Sequence, residues 1–118
     1  MTNTIRAVAE VSILAGKIGE FKKLAAQIMA KVEADEPNTI SYDYFLSSDE
    51  SQCCVVQSYK DSEAVLAHLS SIAGLAGPFH AVAPMTGLMI FGSPSAELRQ
   101  ALEPIGAKIF EHWHGVSR

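Results

Sequence analysis

Apolar residues at every second position define the first element of the chain. Ile5, Ala7, Ala9, Val11 and Ile13 share one side of an extended segment, and Arg6, Glu10 and Ser12 share the other with Val8 and Leu14. A strand with one dry face and one mixed face is predicted over residues 5–14. Gly16 and Gly19 then loosen the backbone, and from Phe21 the apolar step lengthens to three and four residues. Phe21, Leu24, Ala25, Ile28, Met29 and Val32 form one stripe on a helix, with Lys22, Lys23, Gln27, Lys31 and Glu33 on its solvent side. Pro37-Asn38 supplies a turn, Asn38 being suited to a left-handed backbone. Beyond it the period of two returns, with Ile40, Tyr42, Tyr44 and Leu46 on one face and Thr39, Ser41, Asp43 and Phe45 on the other. The polar run 47–51 breaks this strand and a second extended run, 52–60, follows, which reads as an antiparallel hairpin. Asp61-Ser62-Glu63-Ala64 opens the next helix, with Asp61 as N-cap and Glu63 placed to suit the helix dipole.

The remainder is less regular. Residues 71–84 are small and punctuated by Gly and Pro, which suggests helical turns broken near Gly77-Pro78. A third apolar strand is expected over 85–91, with Met85, Met89 and Phe91 opposed to Leu88 and Ile90. Ser93-Pro94 reads as a helix start and Glu103-Pro104 as its end. Residues 107–113 alternate again and suggest a last strand. The order β-α-β-β-α-β is that of a ferredoxin-like α+β sandwich, a four-stranded antiparallel sheet with two helices across one face, here with a short helix and strand appended.

Two helices cover one side of such a sheet. The opposite positions still include Val8, Leu14, Phe45, Cys54, Val56, Leu88 and Ile90, whichever side the helices take. Monomers seldom leave an apolar face of that size in water, so a homodimer through the sheet face is expected. At about 25 cal/mol per Å², that burial outweighs the cost of association once roughly a thousand Å² is lost on each side.

Composition narrows the function classes. A chain of 118 residues with 48% hydrophobic and 19% charged residues is expected to form one globular domain, residues 1–118. Net charge is −4 and no basic cluster exceeds Lys22-Lys23, which disfavours a nucleic-acid partner. No apolar run approaches the roughly 20 residues that cross a bilayer, and the first residues lack the order of a signal peptide. Cys53 and Cys54 are adjacent on a strand and point to opposite faces, so they are poorly placed to bridge each other. A reduced, cytoplasmic setting is the expectation.

The segment Glu36-Pro37-Asn38-Thr39-Ile40-Ser41-Tyr42, the hairpin, and Tyr59-Lys60-Asp61-Ser62-Glu63-Ala64 with His68 resemble the antibiotic-biosynthesis-monooxygenase (ABM) domain family. The resemblance runs over about residues 5–91, and the piece from Gly106 onward resembles a tail found in some members. Asn38 stands where the family usually has glycine. The resemblance implies a dimeric α+β barrel with a substrate cavity between sheet and helices. Among the family's activities are cofactor-free oxygenation of quinols and polyketides, haem degradation and isomerisation of a sugar phosphate. Its haem degraders carry an Asn on the first strand and a Trp on the second helix, neither of which is present here. The Asn and Trp of its polyketide oxygenases are missing around the second helix too.

Within that implied cavity the candidates are few. His68 shares the inward side of its helix with Val65, Leu69 and Ile72, and a neutral buried imidazole can take a proton from a phenol. It is the expected catalytic base. Tyr44, Tyr59, Phe79, His80 and Trp113 are the expected substrate-binding residues, Tyr42 being a further aromatic on the same strand. A core role for each is the plainer alternative. His112 and His114 are spaced like strand-borne ligands, yet the local sequence offers no third or fourth donor, so no metal is expected. Cys53 and Cys54 have no base or helix N-terminus to activate a thiolate. No phosphate loop, nucleophile elbow or dinucleotide fingerprint occurs, so no cofactor is expected. The leading expectation is a cofactor-independent monooxygenase acting with O2 on a small phenolic, quinol or polyketide-like molecule. The alternatives are an acid/base isomerase, with Arg6 holding an anion if it faces the cavity, and a non-catalytic small-molecule binding dimer.

Overall fold

The structure, a computed structural model, describes residues 3–118. The elements are β1 (Ile5–Ser12), α1 (Ile18–Asp35), β2 (Thr39–Leu46), β3 (Gln52–Tyr59), α2 (Ser62–Ser71), α3 (Ala73–Val82), β4 (Met85–Phe91), α4 (Ala96–Leu102), a 3-10 turn (Glu103–Ile105) and β5 (Lys108–Phe110). They build one sheet in the order β2-β3-β1-β4-β5. The first four strands are antiparallel neighbours, while β5 runs parallel to β4. This is the expected ferredoxin-like sandwich, except that the appended strand joins the same sheet and makes it five-stranded and mixed.

The alternation on β1 decides which face is the core. Ile5, Ala7, Ala9 and Val11 are buried beneath the helices, and Phe21, Ile28 and Val32 of α1 and Phe79 of α3 cluster with Ala9 and Val11. A second apolar group gathers Tyr59, Val65, Ile90, Leu98 and Leu102 around Ile5 and Ala7. Asp61 caps α2 as expected, its carboxylate accepting from the Ala64 N–H at 2.9 Å.

Two β-bulges shift positions that a strict period of two misassigns. On β2, Thr39 faces Tyr59 and Ser41 faces Ser58, so Ile40 is the extra residue and is 62% exposed instead of joining Tyr42 and Tyr44. On β4, Glu10 faces Gly87 while Val11 faces Met85, which carries Met85 to the helix side. Leu88 and Ile90 pair with Ala9 and Ala7 and also lie on that side, so they leave the outer face, where Met89 and Phe91 stand instead. Arg6 faces outward beside Ser58 and Phe91, which removes it from any role in the cavity.

Other departures are local. The break in the second helical region falls at Ile72, between α2 and α3, and the two helices meet at 74°. Pro78 sits inside α3, where its ring needs space near the carbonyl of Gly74. α4 starts after Ser95, whose hydroxyl accepts from the Leu98 N–H at 3.1 Å, two residues later than Ser93-Pro94 suggested. Asn38 does not take the left-handed backbone; among the described non-glycine residues only Glu50 does. The last strand is only Lys108–Phe110, and residues 111–118 are exposed and without regular structure. Gly92, at φ 131°, ends β4 where a Cβ would lie 2.9 Å from the Thr4 carbonyl, and its N–H donates to Phe110 O and anchors β5. Among the described residues, no single helix is long and apolar enough to cross a membrane.

Candidate active site

A cavity exists because the central strand carries alanine where it faces the helices. Larger side chains at Ala7 and Ala9 would fill the layer; their methyl groups leave a cavity of about 690 Å³ between the sheet, α2, α3 and the turn after α4. Small-molecule sites usually measure roughly 300–1,000 Å³.

The chemistry sits at the β2–β3 side. His68 projects from α2 and is 4% exposed, and Glu36, the residue after α1, is 6% exposed. The apolar stripe of α1 carries Glu36 inward, four residues beyond Val32, and the Glu36 N–H still bonds to Val32 O at 3.1 Å. His68 Nδ1 lies 2.9 and 3.1 Å from the two carboxylate oxygens of Glu36, and the Thr39 hydroxyl donates to the nearer one at 2.8 Å. A carboxylate accepts only, so Nδ1 carries the proton and donates it, leaving Nε2 with a free lone pair. Burial pushes the imidazole pKa below its ordinary value, and the charge and hydrogen bond of Glu36 oppose that shift without cancelling it. At neutral pH the ring is therefore an uncharged base with a fixed tautomer.

Aromatic rings frame it. Tyr42 and Tyr59 stand 5.1 and 5.6 Å from the imidazole, centroid to centroid. Burial pushes the Tyr42 hydroxyl up to about 12, so it remains a hydrogen-bond donor. Tyr59 is fully buried; its hydroxyl, also shifted up by burial, donates to Gln57 Oε1, and Gln57 Nε2 in turn donates to Val55 O at 3.3 Å. Tyr59 thus offers its ring and holds Gln57, while its O–H is engaged.

The remaining candidates divide. Phe79 and His80 both line the cavity, and His80 Nδ1 donates to the Ala83 carbonyl at 3.2 Å, which leaves its Nε2 free. Tyr44 does not line it; the ring packs against Phe21 and Tyr42, and burial shifts its hydroxyl upward too. Trp113 is 91% exposed on the tail, against His114, and is no part of this cavity. His112 and His114 lie on that same irregular tail, not on a strand, and among the described residues no group of three or more His, Cys, Asp or Glu could hold a metal ion. Cys53 is buried, with a thiol pushed up by burial, and Cys54 is exposed on the other face.

Sequence reasoning passed over Glu36 and Gln57 as site residues. A signal for Glu36 was present, since an acid at the next position of an apolar helical stripe must either end the stripe or find a buried partner. Gln57 had none, because a glutamine on a strand face is ordinary.

Sheet order, two crossing helices and a cavity beneath them define a ferredoxin-like α+β fold. Residues 4–80 match the family described as Antibiotic biosynthesis monooxygenase, and the chain belongs to that family. No curated protein matches it significantly. Its backbone is similar to MupZ from Pseudomonas fluorescens, at 24% identity and a TM-score of 0.90, covering 99% of this chain and 96% of that one. It is also similar to SnoaB, a cofactor-independent oxygenase from Streptomyces nogalater, at 15% identity and a TM-score of 0.68, covering 80% of this chain and 97% of that one. A conserved protein from Methanosarcina mazei Go1 matches at 16% identity and a TM-score of 0.68, covering 75% and 91%. At these identities the likeness is one of fold.

Proposed function

We propose that this chain, acting as one domain over residues 1–118, is a cofactor-independent monooxygenase that oxidises a small phenolic or quinol-like compound with O2. The observation that carries the reading is the neutral, tautomer-fixed His68 held by Glu36 at the edge of an apolar cavity. Membership of the ABM family and the similarity in fold to a cofactor-independent oxygenase support it.

The reaction asks little of the protein. His68 Nε2 takes a proton from a hydroquinone O–H, and the resulting anion passes one electron to O2. The radical pair joins through a new C–O bond at a ring carbon bearing hydrogen, His68 returns its proton to the peroxide anion, and the resulting hydroperoxide loses water. One oxygen atom stays on the ring, the other leaves as water, and the substrate supplies all four electrons, so a hydroquinone becomes a hydroxyquinone. Protein groups remove the proton, hold the ring and exclude water. Tyr42, Tyr59, Phe79 and His80 shape the space, with Tyr42 placed to donate to a substrate oxygen.

Oxygen uptake with a panel of hydroquinones and polycyclic phenols tests the reading. The expected result is uptake matched one to one by hydroxyquinone from the hydroquinones and by quinone from the phenols, in protein stripped of metals. Ligand-induced thermal stabilisation across the panel without any uptake would instead make the chain a binding protein.

The assembly proposed with this reading is a homodimer through the outer sheet face. Phe45 is 58% exposed there and Phe110 48%, alongside Val56, Met89 and Phe91. An apolar face of that kind is seldom left in water. The wild-type protein is expected to sediment as a dimer at micromolar concentration and a Phe45→Asp/Val56→Asp variant as a folded monomer. A wild-type monomer would remove the assembly from the proposal.

A further inference from the structure

We propose that the cavity is built for an elongated amphiphile, with an acidic O–H on a ring or enol head at His68 and an aliphatic tail lying against Leu102 and Ile105. The proposal rests on the reading of His68 as the site of the acidic O–H. It adds the shape of the ligand and the residues that select it.

Polarity is distributed unevenly along the cavity. Tyr42, Gln57, Tyr59 and His68 stand over β2 and β3, whereas Leu88, Ile90, Leu102 and Ile105 line the opposite side, over the second half of β4. His80 and Thr86 stand near the start of β4. β1 lies between β3 and β4, so the two sides are two strand spacings apart at their nearest, roughly 10 Å, and three, roughly 14 Å, when measured from β2. A single phenol ring does not reach from the β2 side to β4. The floor on β1 is Ala7 and Ala9, low enough for a chain to cross that strand without meeting a bulky side chain.

The far wall has a distinct origin. Leu102 ends α4, and Ile105 closes the 3-10 turn, which stops at the left-handed Gly106. Both lie beyond residues 4–80, the part of the chain that matches the family. SnoaB, aligned over 97% of its own length, covers 80% of this chain. The segment that closes the cavity is thus separate from the element that carries His68, and its residues can set ligand length without altering the base. Ile105, 44% exposed and lining the cavity, is the position where wall and rim coincide.

The test uses para-alkylphenols from methyl to dodecyl, with affinity measured by calorimetry and no turnover required. Affinity is expected to rise about fourfold per methylene as the chain is buried and to level off before dodecyl, where the tail meets the wall. Ile105→Trp should bring that plateau to shorter chains and leave the affinity of methylphenol within about twofold; Ile105→Ala should move it to longer ones. Because Ile105 is half-exposed, neither change threatens the fold. Affinity indifferent to chain length, a rise with no plateau, or an Ile105→Trp variant that weakens all members equally would overturn the proposal. Oxygen uptake is a separate readout. Chain-length dependence without uptake would leave the amphiphile site standing and remove only the oxygenase, and uptake without chain-length dependence would do the reverse.

Discussion

His68→Asn is expected to lower turnover of a phenolic or quinol substrate by about 10²- to 10⁴-fold, the contribution usual for a positioned general base. Asparagine is the informative replacement because its amide nitrogen takes the place of Nδ1. It can still donate to Glu36 and keep that buried carboxylate paired, while the lone pair of Nε2 is gone. The loss should fall on kcat more than on KM, since the rest of the cavity lining is unchanged. The pH profile gives a second check. A base whose pKa is held below the ordinary imidazole value stays active in mildly acidic solution, so the acid limb of kcat/KM should lie below about 6.5. Glu36→Gln removes the charge that opposes the effect of burial, so it should move that limb further toward acid and reduce kcat by roughly tenfold, the scale usual for an outer-shell partner. A profile centred above the ordinary histidine value, or full activity in His68→Asn, would exclude His68 as the base.

Legibility in the sequence followed the length of the patterns. β1, α1 and the hairpin each carry enough regular spacing to declare their period, and Asp61 announces α2 through a cap that the structure forms. The strand faces failed at Ile40 and Met85, where one extra backbone residue inverts the alternation; a bulge has no composition of its own. The break near Pro78 was misplaced because proline in a helix needs room near the carbonyl four residues earlier, and here that residue is Gly74. Helix orientation put His68 inward from its spacing with Val65 and Ile72, yet its partner came from another element. The contact between residues 36 and 68 depends on how α1 ends against α2, which no local pattern contains. Trp113 illustrates the opposite error. A lone tryptophan beside histidines looks like a site, but after β5 the chain has no sheet left to pair with and carries the ring into solvent.

The Glu36–His68 pair is also expected to stabilise the fold as a buried polar contact between the end of α1 and α2, and a double-mutant cycle measures this. Both side chains are almost wholly buried, so removing one leaves the other a buried polar group that has lost its main partner. His68→Leu leaves the carboxylate with only the Thr39 hydroxyl and should cost about 3 kcal/mol at pH 7. Glu36→Leu leaves the imidazole N–H unpaired and should cost about 2 kcal/mol. The double leucine variant buries no stranded group and is expected to be more stable than His68→Leu alone. Measured melting temperatures should therefore fall by about 10 °C for His68→Leu and recover part of that loss in the double variant. The pH dependence has a definite sign. With its pKa lowered in the folded state, His68 is neutral there while the unfolded chain takes up a proton below about 6.5. Its linkage favours the unfolded chain as the pH falls from that value to the lower folded pKa, and is absent above it. His68→Leu removes this contribution, so the stability difference between wild type and variant should narrow between neutral pH and pH 5. Additive costs in the cycle, or a difference that widens on acidification, would show that the two side chains are neighbours without being a coupled pair.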